Sequence, residues 1–156
     1  MSARSQLFDQ ILASMYLPAL SGFTFDRSRT FRRVVETGTC VEIINLQLGQ
    51  RSLEGRFTVN LGVFKSGDLA AIPLAKAKEY HCKHVYRTRI GLIIPPRFSL
   101  LADIPFLGIF FAPRDRWWKF SDNPEQTTVQ MSIVLNLIRT YGLPWLVNTS
   151  HIRNSP

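Results

Sequence analysis

Pairs of polar residues two apart recur along this chain: Asn45 with Gln47, Thr58 with Asn60, and Arg87 with Arg89. In extended backbone, residues two apart lie on one face. If each pair sits on a strand of one sheet, their side chains converge on a single surface. Amides there offer donor and acceptor together, and guanidinium groups present a planar fork that fits carboxylate or phosphate. Trp117 and Trp118 would border that surface, either with one facing out as a contact residue and the other facing the core, or with both packed in the core at a sheet edge. The chemistry implied is recognition of an anion or a peptide. The same residue types also make up the wet face of a one-sided antiparallel sheet, so the sequence leaves both readings open.

Other chemistries find less material. His81-Cys82-Lys83-His84 is the one cluster of metal-ligand types, with His151 and Cys40 remote from it. Structural zinc needs four ligands, so no metal site is assigned. Cys82 beside a histidine is the one nucleophile candidate, but neighbours in a strand point apart, and a nucleophile needs an oriented base. The acidic residues are dispersed and no glycine-rich phosphate loop occurs. No catalytic residue and no cofactor is assigned, and the expectation leans away from an enzyme.

The elements that must hold the polar pairs follow from periodicity. Residues 5–16 predict a helix capped by Ser5, with Leu7, Phe8, Ile11, Leu12 and Met15 on one face and Pro18 and Gly22 closing it. Residues 30–36 and 40–48 predict a hairpin. Phe57, Val59, Leu61 and Val63 alternate with Thr58, Asn60 and Gly62, the period of a half-buried strand. Short connections force these neighbours antiparallel. Residues 66–83 predict an irregular or short helical connection. Residues 85–94 predict a fourth strand, with Ile90 and Leu92 opposite Arg87 and Arg89, and residues 115–120 a short aromatic one.

Asn123 suits the N-cap of a second helix, Pro124 its first position and Gln126 a capping box. Val129, Ile133, Leu137 and Tyr141 form its apolar row, with Val134 and Ile138 beside it. Gly142 and Pro144 predict its end, with the tail frayed from about residue 148. Helix, run of strands, helix is the α+β pattern. The expectation is one domain over residues 1–156, with an antiparallel sheet of about five strands flanked by N-terminal and C-terminal amphipathic helices.

Composition agrees with a packed core: 46% of the 156 residues are hydrophobic and 19% charged. The formal net charge is +8, and Arg27, Arg29, Arg32 and Arg33 are its one local cluster. Nucleic-acid binding through that cluster is therefore a competing expectation. Two cysteines far apart make no disulfide framework. No secretory leader is evident, so the cytoplasm is the default compartment. The apolar residues 90–112 are broken by Pro95, Pro96, Arg97, Asp103 and Pro105, which argues against a membrane span. Within them, residues 104–112, which open on Ile104 and close on Ala112, are a candidate homodimer contact or part of the core.

A resemblance joins several of these stretches. Gly22-Phe23, Thr30-Phe31-Arg32-Arg33, the strand with Ile43, Ile44 and Gln47, and Phe57-Thr58-Val59-Asn60-Leu61-Gly62-Val63 begin it. Cys82, Arg87 to Leu92, Asp115-Arg116-Trp117-Trp118 and Gly142-Leu143-Pro144-Trp145-Leu146 complete it. Over nearly its whole length the chain resembles the bacterial family termed domain of unknown function 4304. The resemblance transfers no catalytic residue. The leading expectation is a small noncatalytic binding protein that meets a protein partner or anionic ligand through Asn45, Gln47, Thr58, Asn60, Arg87, Arg89, Trp117 and Trp118. A nucleic-acid-binding module is the alternative, and a small hydrolytic enzyme ranks below both.

Overall fold

A computed structural model describes residues 2–26, 28–35, 38–66, 72–95 and 114–152. Helix α1 (Ala3–Ala19) leads into β1 (Thr24–Asp26), β2 (Thr30–Val34), β3 (Cys40–Leu48) and β4 (Arg56–Lys65). After three short 3-10 turns come β5 (Arg87–Arg89), a single helical turn α2 (Ile90–Ile93) and β6 (Trp118–Lys119). Helix α3 (Pro124–Leu137) then passes through a π-helical turn (Ile138–Gly142) into α4 (Leu143–His151). The sheet is antiparallel, in the order β1-β2-β3-β4-β5, with β6 also on β4. This is the expected α+β architecture, with one added edge strand, β1.

The alternation in β4 sets the layers. Phe57, Val59, Leu61 and Val63 point to the helices and are fully buried, with Ile44 and Leu46 of β3 beside them. Helix α1 delivers Phe8, Ile11, Leu12 and Tyr16 to this core, and α3 delivers Met131, Val134 and Leu135. The Tyr16 hydroxyl donates to the Met131 carbonyl at 2.8 Å, joining the two helices where a polar group would otherwise be stranded. Burial pushes the Tyr16 phenol well above its usual range.

Both helices depart from expectation. Helix α1 begins a turn early: Ser2, not Ser5, caps it, accepting from the Ser5 amide at 3.3 Å. Pro18 lies inside its last turn, and the chain leaves only after the Leu20 amide has returned to the Tyr16 carbonyl at 2.9 Å. At the C-terminal helix the Asn123 cap and Pro124 stand as expected, with Asn123 Oδ1 accepting from the Gln126 amide at 3.1 Å. The Gln126 side chain meets Ser121 instead of closing a capping box.

Val129 and Ile133, expected in the core, are exposed; Val134 and Ile138 are buried as expected, joined by Met131 and Leu135. Nor does the helix stop at Gly142. Gly142 keeps a helical φ of −68° and is buried against the core, where a Cβ would make only ordinary contact, 3.5 Å from Leu61 Cδ1. The wider π turn resets the hydrogen-bond ladder just ahead of Pro144. The proline then sits in the first turn of α4, where a missing N–H costs nothing. Residues 148–151 are helical rather than frayed, and Thr149 is buried.

The fourth strand is shorter than its sequence suggests. Only Arg87–Arg89 pairs with β4; the chain then turns helically, burying Ile90 and Ile94 and leaving Leu92 exposed. Gly91 in this turn lets the chain at Arg114 and Arg116 pass close by, since a Cβ there would lie 2.6 Å from the Arg116 nitrogen. The aromatic strand expected over residues 115–120 reduces to Trp118–Lys119. Residues 104–112 lie outside the described residues. Among the described residues no helix is long and apolar enough to cross a membrane.

The face of the sheet away from the helices is divided. Val41, Ile43 and Phe64 form a second apolar cluster covered by Ala77 and Cys82 from the connection, with Ile72 and Leu74 packed against it. Gly62 permits that cover: a Cβ there would meet Cys82 Sγ at 2.8 Å and Glu79 Cα at 3.3 Å. Alanine ordinarily favours a strand over glycine. Here Gly62→Ala is expected to lower stability by about 1–3 kcal/mol, as overpacking does. Urea denaturation of the variant checks this, and a midpoint at or above that of the parent would refute the close approach.

Candidate functional site

Beyond the apolar cover, the outer face carries the predicted polar set. Asn45 lies opposite Asn60 in the β3–β4 ladder, and Gln47 opposite Thr58. Arg89 lies opposite Asn60 in the next ladder, and Arg87 opposite Gly62. Period-two alternation on three adjacent strands therefore brings Asn45, Gln47, Thr58, Asn60, Arg87 and Arg89 to one side of the sheet.

Asn60 is the hub. Its Nδ2 donates to Gln47 Oε1 at 2.9 Å and to Asn45 Oδ1 at 3.3 Å. Its Oδ1 accepts from Arg89 Nε at 3.2 Å. The outer end of the Arg89 guanidinium pairs with Asp115 through Nη1, and the Trp117 indole donates to the same Asp115 oxygen at 3.1 Å. The Arg89 guanidinium carbon also lies 5.5 Å from the centroid of the Trp117 ring, within cation–π range. Asn45 continues the network in the other direction, donating to Thr30 Oγ1 at 3.0 Å.

Two predicted residues serve otherwise. The Thr58 hydroxyl donates to the Arg116 carbonyl at 2.9 Å and is buried, so it fastens the chain next to Trp117 instead of facing a ligand. Trp118 turns to the helix side, its ring 6.1 Å from that of Phe57. In β6 its register places it opposite Phe57, an inward residue, and that pairing removes it from the polar face.

Around Arg89 the surface dips into a hollow of about 510 Å³ lined by Gln47, Asn60, Tyr80, Arg87, Arg89 and Asp115, among others. Arg87 Nη2 lies 2.9 Å from His84 Nδ1, and Tyr80 stands exposed at the rim. Sequence reasoning missed Tyr80, His84 and Asp115. Asp115 had a signal, two residues before a tryptophan that was singled out; Tyr80 sits in a connection without periodicity and had none. The arrangement can hold an anion through the remaining guanidinium N–H groups, and peptide groups through the side-chain amides.

The arginine cluster is differently employed. Arg29 makes a two-pronged pair with Asp9 of α1, at 2.6 and 2.9 Å. Arg32, nearly buried, binds Asp26 and donates to the Ala77 carbonyl at 2.6 Å. Arg33 pairs with the buried Glu42 at 2.6 Å and lies over the Phe23 ring. Arg27 lies outside the described residues. The described members of the cluster thus tie strands and helix together. In the predicted metal-type cluster, His81 Nδ1 accepts from the Lys78 amide at 3.1 Å, and Cys82 packs beneath Gly62.

The sequence model of a family described as a domain of unknown function (DUF4304) matches residues 18–148. No curated protein and no solved structure matches the chain.

Asp26 gives the cluster a pH signature. Partial burial works against its charge, but hydrogen bonds from Ser28 and Arg32 outweigh that and hold its carboxyl below the ordinary value of 3.8. A carboxylate lowered on folding stabilises the protein above its unfolded pKa, and the contribution disappears as pH falls through the folded one. Asp26→Asn is therefore expected to be less stable than the parent at neutral pH, by about 1 kcal/mol or less at so accessible a site. The difference should shrink below pH 3.8. Denaturation curves of both proteins at neutral and acid pH check this, and an equal gap at both would contradict it.

Proposed function

The chain belongs to the DUF4304 family, and we propose that it is a noncatalytic binding protein whose outer sheet face holds an anionic group of its ligand. The observation that carries this reading is the placement of Arg89. Its side chain is held from one side by Asn60 and from the other by Asp115, in a hollow that also contains Arg87 and Gln47. A long side chain fixed in this way loses little further freedom when it meets a ligand. The ligand fitting this chemistry presents a carboxylate or phosphate to Arg87 and Arg89 and a carbonyl or hydroxyl to the Gln47 side-chain amide, while Asn60 holds these groups in place. Residence in the cytoplasm belongs to the same proposal.

Titration of the isotopically labelled protein with acetate, glutarate and inorganic phosphate, followed by NMR, tests the reading. Shifts are expected to concentrate on the side-chain amides of Gln47 and Asn60 and on the Arg87 and Arg89 Nε–H signals. Arg89→Gln should weaken the binding about tenfold or more, since charge-assisted hydrogen bonds contribute about 1.5–3 kcal/mol. Shifts that fall on other surfaces, or that persist unchanged in Arg89→Gln, would defeat the proposal.

A further inference from the structure

A second hollow, of about 700 Å³, opens where the start of α1 meets the end of the sheet. Arg4, Arg29, Asn45, Gln47, Arg51 and Asp122 are among its walls. Gln47 lines this hollow and the one around Arg89 alike, so the two share a wall. The line from Asn45 through Asn60 to Arg89 crosses three neighbouring strands, roughly 10 Å at ordinary strand spacing, and forms an amide floor between them.

The charges on this groove are unevenly satisfied. Arg4 pairs with Asp122, Arg29 with Asp9 and Arg89 with Asp115. Arg51 at one end and Arg87 at the other pair with no carboxylate among the described residues. Arg51 is exposed and holds a left-handed φ of +54°, a conformation that L side chains other than Asn and Asp seldom adopt.

We propose that the two hollows form one groove for an extended acidic peptide segment of a partner protein. The peptide places carboxylates at Arg51 and at Arg87 and lays its backbone across the floor between them, meeting the Gln47 side-chain amide, which Asn60 holds in place. This rests on the binding reading above and extends it to a ligand class. Side-chain amides match peptide groups, donor to acceptor and acceptor to donor. The walls also carry Glu54, Asp122, Glu79 and Asp115. A phosphodiester strand, with a charge at every nucleotide, would meet these carboxylates, whereas a peptide with spaced acids avoids them.

Fluorescence anisotropy with a labelled dodecapeptide of alternating glutamate and serine tests the proposal; extended, it reaches roughly 40 Å. The variants are Arg51→Asn, which tolerates the left-handed backbone, Arg87→Gln, and Arg139→Gln, an exposed site on the π turn away from the groove. Thermal melts by circular dichroism verify that each variant folds. Saturable binding is expected, weakened about tenfold or more by Arg51→Asn and by Arg87→Gln and unchanged by Arg139→Gln. Loss in Arg87→Gln alone would overturn the extended groove while leaving the binding reading intact. Equal loss in all three variants would make the attraction generic to net charge and overturn both. A thymidine dodecanucleotide that binds more tightly than the peptide, with the same arginine dependence, would overturn the peptide assignment. So would the absence of saturable peptide binding.

Discussion

Nine residues of β3, Cys40 to Leu48, lie opposite nine of β4 in an unbroken antiparallel ladder. That ladder is the constraint on which the rest of the molecule depends. A slip of β4 by one residue against β3 would exchange the two faces of β4, sending Phe57, Val59 and Leu61 to the outer side and Thr58 and Asn60 into the helix core. Every other element is placed by it: the helices cover one side, the connection after β4 covers part of the other, and β5 and β6 share the remaining edge of β4. The polar network around Asn60 exists because this register is fixed by apolar burial behind it.

Much of this was legible because a period of two is a strong signal when one face is buried. The alternation from Phe57 to Val63 and the matching one in β3 were enough to bring Asn45, Gln47, Asn60 and Arg89 together. What could not be read lies where the period fails or is ambiguous. Helix α3 carries two apolar rows at helical spacing, and only the shape of the sheet decides that Val134 and Ile138 enter the core with Met131 while Val129 and Ile133 stay out. Gly142 and Pro144 have the composition of a helix end, yet a glycine with helical φ and a proline following a π turn are accommodated without ending it. Whether Trp117 and Trp118 split across the strand or both packed inward was open in the sequence, because it depended on register with Phe57, a contact far apart in sequence.

The basic composition also acquires a different meaning in three dimensions. A net charge of +8 suggests a surface that attracts polyanions in general. Arg29, Arg32 and Arg33, however, meet Asp9, Asp26 and Glu42 across element boundaries. Glu42 is almost wholly buried, and removing its partner would leave a charge without compensation, a costly arrangement. These arginines work as internal fasteners between the first hairpin, α1 and the cover over Ala77. Cationic character at the surface is then a matter of position rather than total.

An ordinary wet sheet face turns its polar side chains separately to water, and each then keeps its rotamer freedom. The face around Asn60 departs from that description. Asn60 itself is only 9% exposed, and its amide is saturated by Gln47, Asn45 and Arg89. Arg89 is in turn held by Asp115, which also receives the Trp117 indole. Ordering an arginine and a glutamine costs about 1.5–2 kcal/mol each in side-chain entropy. Accessible ion pairs such as Arg89 with Asp115 return about 0–1 kcal/mol. Burial accounts for the bonds to Asn60, but at the accessible rim, where water could have satisfied Arg89 and Asp115, stability alone is a poor explanation for their pairing. Its physical consequence is that guanidinium and amide groups are held in a fixed arrangement beside an open hollow, and that preorganisation is what supports reading the face as a site of recognition.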